Sequence, residues 1–210
     1  MKKIISILAC LTVVAASLSA QEKVCRFGLT AGTNFSYMQE TEVSSNVGWR
    51  FGVTLPINLP AHFRVQPSVL FDKQGFTYGP DMLHNGGAVG LQAVRTFALN
   101  IPVAVQWGPD LGLVRPYVEV APYVNFNFNS QYKAEHAEQW QSIESFVANP
   151  NVGIGAGLGI DIWNFQISAR YNWGLHNFLR KEASSPDKNQ VPSLVGKRLD
   201  TITLNIAYLF

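Results

Sequence analysis

The chain has 210 residues, of which only 14% are charged, whereas 12% are aromatic and 17 are glycine. Apart from Lys2 and Lys3 in the first segment, 14 basic residues balance 14 acidic ones, which argues against a nucleic-acid-binding protein. After the first segment, no run of about 18 apolar residues predicts a transmembrane helix.

Residues 1–20 predict a secretory signal peptide. The two lysines precede an apolar run over residues 4–14, and small residues follow as far as Ala20. We expect cleavage near Ala20, which leaves residues 21–210 as one exported domain. Cys25 is the single cysteine of that domain, so we expect no internal disulfide.

The exported part alternates apolar and polar residues in eight segments, the pattern of strands with one apolar face. The predicted strands span about 24–37, 47–58, 63–76, 94–107, 116–128, 151–162, 164–176 and 200–210. Short connections alternate with long ones at about 39–46, 77–93, 129–150 and 178–197. An even number of strands with short turns on one rim and long loops on the other predicts an all-β fold, an eight-stranded antiparallel up-and-down transmembrane β-barrel.

A soluble barrel of the lipocalin kind, with its apolar face turned inward around a ligand, has the same strand pattern. Three features favour the membrane barrel. The polar face carries few charges for a water-exposed surface, and glycine occupies every second position over residues 153–159, as a crowded interior requires. Aromatic residues also lie near the strand ends, where membrane barrels carry interfacial girdles; these are Trp49, Trp107, Trp163, Tyr171, Trp173 and Tyr208.

Charged residues on the predicted inner face are candidates for a lumen network. They are Arg26, Arg50, Arg64, Asp72, Glu119, Asp161 and Arg170. We expect these charges to pair and to close the lumen, because side chains alone fill a barrel of eight strands and buried charges require partners. A narrow selective pore or proton path lined by these charges is the alternative.

Three prolines, Pro67, Pro102 and Pro122, fall inside predicted strands. Each removes one donor from the hydrogen-bond ladder, so we expect local bulges or twisting at these positions.

The last strand, "DTITLNIAYLF", ends on a free Phe210. It resembles the recognition signal of outer-membrane barrels. The resemblance implies that Tyr208 and Phe210 are read by the barrel-insertion machinery.

The predicted loops offer one candidate patch and one charged segment. Residues 133–148 have a helix-forming composition, and we expect an apolar face to cover the barrel mouth, with a protein-binding patch as the alternative. This loop patch consists of Trp140, Ile143, Phe146 and Val147. Within residues 178–198, five basic residues outnumber two acidic ones and can contact lipopolysaccharide phosphates; the basic residues are Arg180, Lys181, Lys188, Lys197 and Arg198.

Histidines and serines in the predicted loops could in principle form a catalytic group; they are His84, His136, His176, Ser130, Ser142 and Ser184. No G-x-S-x-G or similar context marks a nucleophile, and no two histidines have the spacing of metal ligands. We therefore expect no enzyme, no catalytic residue, no cofactor and no metal site.

Several stretches carry a family resemblance in a fixed order: "GLTAGTNFS" (28–36), "QPSVLFDKQGF" (66–76), "LNIPVAVQW" (99–107), "RPYVEVAPYV" (115–124), "GIGAGLGIDI" (153–162), "ISARYNWGLHN" (167–177) and the final "NIAYLF". Over essentially the whole mature region, the chain resembles the PorT-like family of small outer-membrane β-barrel proteins. The resemblance implies an eight-stranded barrel with a periplasmic N-terminus and long loops outside the cell. Glu119 departs from the motif, where a small residue is more typical.

The expected function is that of a small integral protein of the Gram-negative outer membrane, acting structurally or through its extracellular loops. Its expected partners are outer-membrane lipids, lipopolysaccharide, the insertion machinery and a protein bound by the loops, and not nucleic acid. The family takes its name from a secretion-associated member, so a component or assistant of protein export is the second candidate. A narrow channel and a lipid-modifying enzyme follow.

Overall fold

A computed structural model describes residues 25–38, 43–45, 47–78, 91–134, 141–142, 149–176 and 198–210. These residues form the strands β1 (Gly28–Met38), β2 (Val43–Ser45), β3 (Val47–Thr54), β4 (Ile57–Asn58), β5 (Phe63–Tyr78), β6 (Leu91–Trp107), β7 (Val114–Ala134), β8 (Gln141–Ser142), β9 (Asn151–Ile162), β10 (Phe165–Gly174) and β11 (Leu199–Leu209). Within these ranges there is no helix of the length and hydropathy needed to cross a membrane.

The strands close into a single antiparallel barrel. β2, β3 and β4 follow one another along the chain and all pair with β5, so together they act as one interrupted strand. β1 pairs with β3 on one side and with β11 on the other, and the ring returns through β10, β9, β7 and β6 to β5. With β8 only a short addition to β7, the wall has eight strands, which confirms the predicted up-and-down β-barrel.

The two faces of the wall have opposite chemistry, and the interior is the polar one. In β11, Thr203 and Leu209 are completely buried, whereas Leu204 and Ile206, on the other face, are about half exposed. Most buried side chains of the described strands are polar or charged, and the exposed ones include many large apolar residues. A water-soluble protein has the reverse arrangement, so the outer face is suited to lipid.

Short connections gather at one rim of the barrel. Residues 59–62, 108–113 and 163–164 join consecutive strands there, and the end of β11 lies at the same rim. Trp163 adopts a positive φ of 55°, as the first residue of a two-residue hairpin turn requires. Because membrane barrels carry their short turns on the periplasmic side, we name this the periplasmic rim and the opposite one the extracellular rim.

The strands extend further toward the extracellular rim than the sequence pattern predicts. β7 continues to Ala134, and β8, Gln141–Ser142, pairs with it. The predicted helical character of 133–148 is therefore wrong at 133–134 and 141–142, because polar residues beyond the apolar band still complete the hydrogen-bond ladder of their neighbours. The loop patch of Trp140, Ile143, Phe146 and Val147 lies outside the described residues.

We expected bulges or twisting at the three prolines, and the register shows no bulge at Pro67, Pro102 or Pro122. Pairing between β5 and β6 lapses after Pro67 and resumes at Leu70 in the same register. A proline removes one donor without changing the number of residues between paired positions, so the alignment survives. The register of β6 and β7 shifts instead near Phe97, where β7 contains one additional residue, Phe128.

Candidate functional site

The barrel interior holds an ion pair near its extracellular end. Arg50 of β3 lies directly opposite Asp72 of β5. Its Nε donates to Asp72 Oδ1 at 3.0 Å, and its Nη2 donates to Oδ2. Arg50 is 5% exposed and Asp72 is completely buried. This two-pronged, charge-assisted geometry is the strongest form of such a contact.

A second pair crosses the interior over β9. Arg170 of β10 donates from Nε to Glu119 Oε1 of β7 at 2.8 Å, and its Nη2 lies 2.8 Å from the same oxygen. Glycines of β9 leave room for the arginine: a Cβ on Gly155 would lie 2.7 Å from Arg170 Cδ, and one on Gly157 would lie 3.0 Å from its Cα. The glycine run thus lets a long side chain lie flat against the neighbouring strand.

A third group lies near the periplasmic rim around Asp161. Arg64 of β5 donates to Asp161 Oδ2 across the lumen, and Arg115 of β7 approaches the same oxygen at 3.4 Å. Arg115 is absent from the sequence-based set, although it is 8% exposed and lies directly opposite Asp161 on the neighbouring strand. Residues 115, 117 and 119 all face inward because they alternate along one strand. The fifth predicted strand begins at residue 116, one residue too late to include Arg115.

Glutamine side chains connect the second and third groups. Gln106 Nε2 donates to Glu119 Oε2 at 3.1 Å and to Gln66 Oε1 at 3.0 Å. Gln66 donates to Gln166 at 2.8 Å, and Gln166 donates to Asp161 Oδ1 at 2.8 Å. These glutamines are neutral, so they are not among the predicted lumen charges. The alternation of the sequence nevertheless places them on the inner face of their strands.

Arg26 lies apart from these pairs, at the periplasmic rim. Its guanidinium donates to Asn164 Oδ1 at 3.2 Å, and no ion pair among the described residues includes it. Of the seven predicted lumen charges, the structure therefore brings six into pairs and leaves Arg26 in a turn contact.

The packed interior leaves little free volume. One cavity of about 20 Å³ borders Glu119 and Arg170, and a second of the same size borders Arg50. A volume of roughly 10–15 Å³ holds one water molecule. Asn125 and Asn151 line the second cavity and have buried Oδ1 atoms without a protein donor, a setting that holds ordered water. Each cavity is thus the size of a hydration site.

The structure describes three of the six candidate catalytic residues. Ser130, predicted to lie in a loop, is buried in the interior, where it accepts a hydrogen bond from Thr96 Oγ1 at 3.2 Å. His176 is exposed beyond β10, and Ser142 belongs to β8. His84, His136 and Ser184 lie outside the described residues. Over the part of the chain that the structure describes, no cluster of His, Cys, Asp and Glu has the makings of a metal site.

The final aromatic residues lie on the outer face at the periplasmic rim. Phe210 is 61% exposed, and its ring stacks on Phe27 with centroids 6.1 Å apart. Tyr208 meets Phe210 edge-on at 5.0 Å and Phe165 at 5.2 Å. The Phe210 backbone N–H also donates to the Phe27 carbonyl at 2.7 Å, which ties the end of the chain to its first described residues.

The sequence matches, over residues 19–180, a family model described as an outer membrane protein β-barrel domain. No curated protein matches the chain significantly. The chain is similar to the structure of Ail, the attachment invasion locus protein of Yersinia pestis, at 13% identity and a TM-score of 0.46, covering 89% of this chain and 97% of Ail. Neisserial surface protein A is similar at 10% identity and a TM-score of 0.47, covering 89% and 97%. A major outer membrane protein of Thermus thermophilus is similar at 14% identity and a TM-score of 0.46, covering 89% and 99%.

We expect Asp72→Asn to lower the free energy of unfolding by about 3–5 kcal/mol, because it leaves the buried Arg50 without a counter-charge. Urea unfolding of the barrel in lipid vesicles measures the change. The double variant Arg50→Met/Asp72→Leu removes both charges at similar volume and should recover most of the loss. An Asp72→Asn barrel as stable as the wild type would show that this pair does not hold the interior together.

Proposed function

The chain belongs to the outer membrane protein β-barrel domain family, and from this premise we propose that its lumen is closed and charge-paired and that it acts structurally or through its extracellular loops. The family confirms the predicted location in the outer membrane of a Gram-negative bacterium. The location is a property of the family, whereas structural or loop-based action is our proposal for this chain.

One observation carries the proposal: paired charged side chains occupy the interior of the described strands. Arg50 with Asp72, Glu119 with Arg170, and Asp161 with two arginines fill successive levels. The two small cavities that border these side chains have room for ordered water. A permeation path requires continuous water, so a closed lumen leaves the outer face and the loops as the working surfaces. A narrow channel ranks below this function.

Planar-bilayer recording tests the closed lumen. We expect wild-type protein to be silent and Glu119→Ala to conduct, because the substitution removes the acceptor that holds Arg170 across the interior. Arg170→Ala should act in the same way. Val118→Ala is the matched control, since Val118 neighbours Glu119 but faces outward at 57% exposure. Steady ion-selective current through the wild-type protein would instead make the interior a pore.

A role as a component or assistant of protein export is the second candidate, and the PorT-like resemblance is the reason to consider it. An apolar surface at the periplasmic rim supports it. Leu111, Leu113 and Trp163 are 67%, 75% and 73% exposed, and the Trp163 backbone N–H donates to the Leu113 carbonyl at 2.9 Å, which holds the two turns side by side. A periplasmic export partner would meet the barrel at this rim.

In-cell crosslinking followed by purification tests the export role. We expect the wild-type protein to carry a stable stoichiometric periplasmic or outer-membrane partner, and Leu113→Ser/Trp163→Ser to lose it while remaining inserted. Leu158→Ser, at an exposed position of the barrel wall, is the control. A protein purified alone under these conditions would leave the barrel without a place in an export complex.

The loop patch of Trp140, Ile143, Phe146 and Val147 stays a proposed contact for a protein partner. A lipid-modifying enzyme ranks last, because Ser130 is buried among lumen side chains and lies out of reach of a lipid. Loss of lipid-modifying activity on substituting His176 or Ser130 would restore that candidate.

We also propose that Tyr208 and Phe210 form the signal read by the insertion machinery. The Phe210 ring is exposed, so Phe210→Ala should change the unfolding free energy of the finished barrel by no more than about 1 kcal/mol. The amount inserted in cells should nevertheless fall severalfold. Phe27→Ala removes the stacked partner ring but keeps the final residue, and it should insert normally. Equal insertion of both variants would exclude a signal function for Phe210.

A further inference from the structure

The outer face of β3, β5, β6 and β7 carries a continuous cluster of aromatic side chains toward the extracellular rim. We call this cluster the aromatic patch; it consists of Trp49, Phe51, Phe71, Phe97 and Phe128. Phe71 is its centre, with ring centroids 5.8 Å from Trp49, 6.3 Å from Phe97 and 5.3 Å from Phe128. On the facing wall, β9 and β11 carry aliphatic residues such as Leu158 and Leu204, and β10 between them carries the smaller aromatic pair Tyr171 and Trp173.

Basic side chains border the aromatic patch on its extracellular side. Lys73 of β5 lies directly opposite both Trp49 and Phe97, and Arg95 of β6 is two residues beyond Phe97 on the same face. Lys133 of β7 follows on the next strand, opposite Ala93. We call Lys73, Arg95 and Lys133 the basic rim. Only two carboxylates occur in β5, β6 and β7, those of Asp72 and Glu119, and both point into the lumen. The charges on the outer face of these strands are therefore all positive.

The height of the basic rim matches the membrane boundary. Lys73 stands ten positions beyond Phe63, the first outward residue of β5. Ten residues at about 3.3 Å each, tilted by roughly 40°, rise about 25 Å, which is the height of the apolar band of membrane barrels. The aromatic patch thus contacts acyl chains, and the basic rim lies at the level of lipid headgroups.

The irregularity in β7 sets the direction of its upper side chains. Phe97 pairs with Asn129 whereas Ala98 pairs with Asn127, so Phe128 is the additional residue. Without it, strict alternation would turn Gln131 and Lys133 into the lumen. With it, Gln131 faces outward and accepts from Arg95 Nε at 2.9 Å, and Ser130 turns inward. A bulge that redirects a lysine onto a lipid-facing surface is a typical device for building a site.

A gap in the side chains lies between these cations. Gly75 of β5 is directly opposite Arg95 and two residues beyond Lys73 on the same face. A glycine here leaves the wall without a side chain beside a lysine and an arginine. Arg95 donates from Nε and Nη2 to Gln131 Oε1, and its positive charge together with that of Lys73 attracts phosphate oxygens.

We propose that the aromatic patch and the basic rim bind a phosphorylated glycolipid of the lipid A class from the outer leaflet. The acyl chains lie on the rings around Phe71, and the phosphates contact Lys73, Arg95 and Lys133. This site deepens the proposed function, because it rests on insertion in the outer membrane and assigns a lipid partner to the barrel wall. It does not depend on whether the lumen conducts.

Native mass spectrometry of the full folded chain in detergent, titrated with bisphosphorylated lipid A, tests the site. The triple variant Lys73→Gln/Arg95→Gln/Lys133→Gln should bind at least roughly tenfold more weakly, because it removes the three positive charges that meet the phosphates. The comparison variant Arg180→Gln/Lys181→Gln/Lys188→Gln removes equal charge from the predicted basic loop, which is the competing phosphate contact. The proposal requires this variant to bind like the wild type. Dephosphorylated lipid A should bind the wild type as weakly as it binds the basic-rim variant.

Further variants separate specific lipid binding from a folding defect and from simple anion binding. Lys73→Arg/Lys133→Arg keeps the charge and should keep the affinity, which guards against a general loss of structure. Phe71→Leu keeps the face apolar but removes the central ring, and it should weaken lipid A without changing its dependence on phosphate. Millimolar inorganic phosphate should not displace the lipid. Equal affinity of the wild type and the basic-rim variant, or loss confined to the loop variant, would overturn the proposal, whereas a silent or conducting lumen would not affect it.

Discussion

The pairing of charges inside a narrow wall is the constraint on which the rest of this structure depends. An eight-stranded barrel has lipid on its outer side, so every polar side chain turned inward must find its partner within a space scarcely wider than two side chains. Arg170 has room to reach Glu119 because β9 presents glycines. Glu119 accepts from Arg170 at one oxygen and from Gln106 at the other. The glycines of β9 and the polar side chains of the interior thus both follow from the need to pack paired charges in a narrow space.

The sequence predicted the wall well, because lipid on one face and a crowded polar interior on the other impose strict alternation. The eight strands, their two faces and six of the paired charges could be read from that period. The sequence pattern did not predict Arg115 or the connecting glutamines as members of the network. Arg115 precedes the predicted start of its strand by one residue, and the glutamines carry no charge. The bulge at Phe128 could not be predicted, because an additional residue in one strand becomes visible only against the register of its neighbour. Between the apolar band and the extracellular rim the alternation of apolar and polar residues weakens, so β5 and β7 extend beyond their predicted ends.

β7 shows how a single strand takes part in two separate surfaces. Near the periplasmic rim its odd-numbered residues face inward, among them Arg115 and Glu119. Beyond Phe128 the parity is inverted, and odd-numbered residues such as Gln131 and Lys133 face outward. One added residue is enough to move the Lys133 side chain from the interior to the wall, so lumen closure and wall chemistry can vary independently along the same strand.

The seam between β1 and β11 has a consequence for how the barrel folds. Gly28 pairs with Leu209, so the first long strand finds its partner almost the full length of the chain away. Such a topology is dominated by non-local contacts and folds slowly. Until β11 arrives, β1 presents an unpaired edge, the kind of surface on which strands of different molecules associate. Pairing of β1 with β11 is therefore the step that removes the last unpaired edges of the ring.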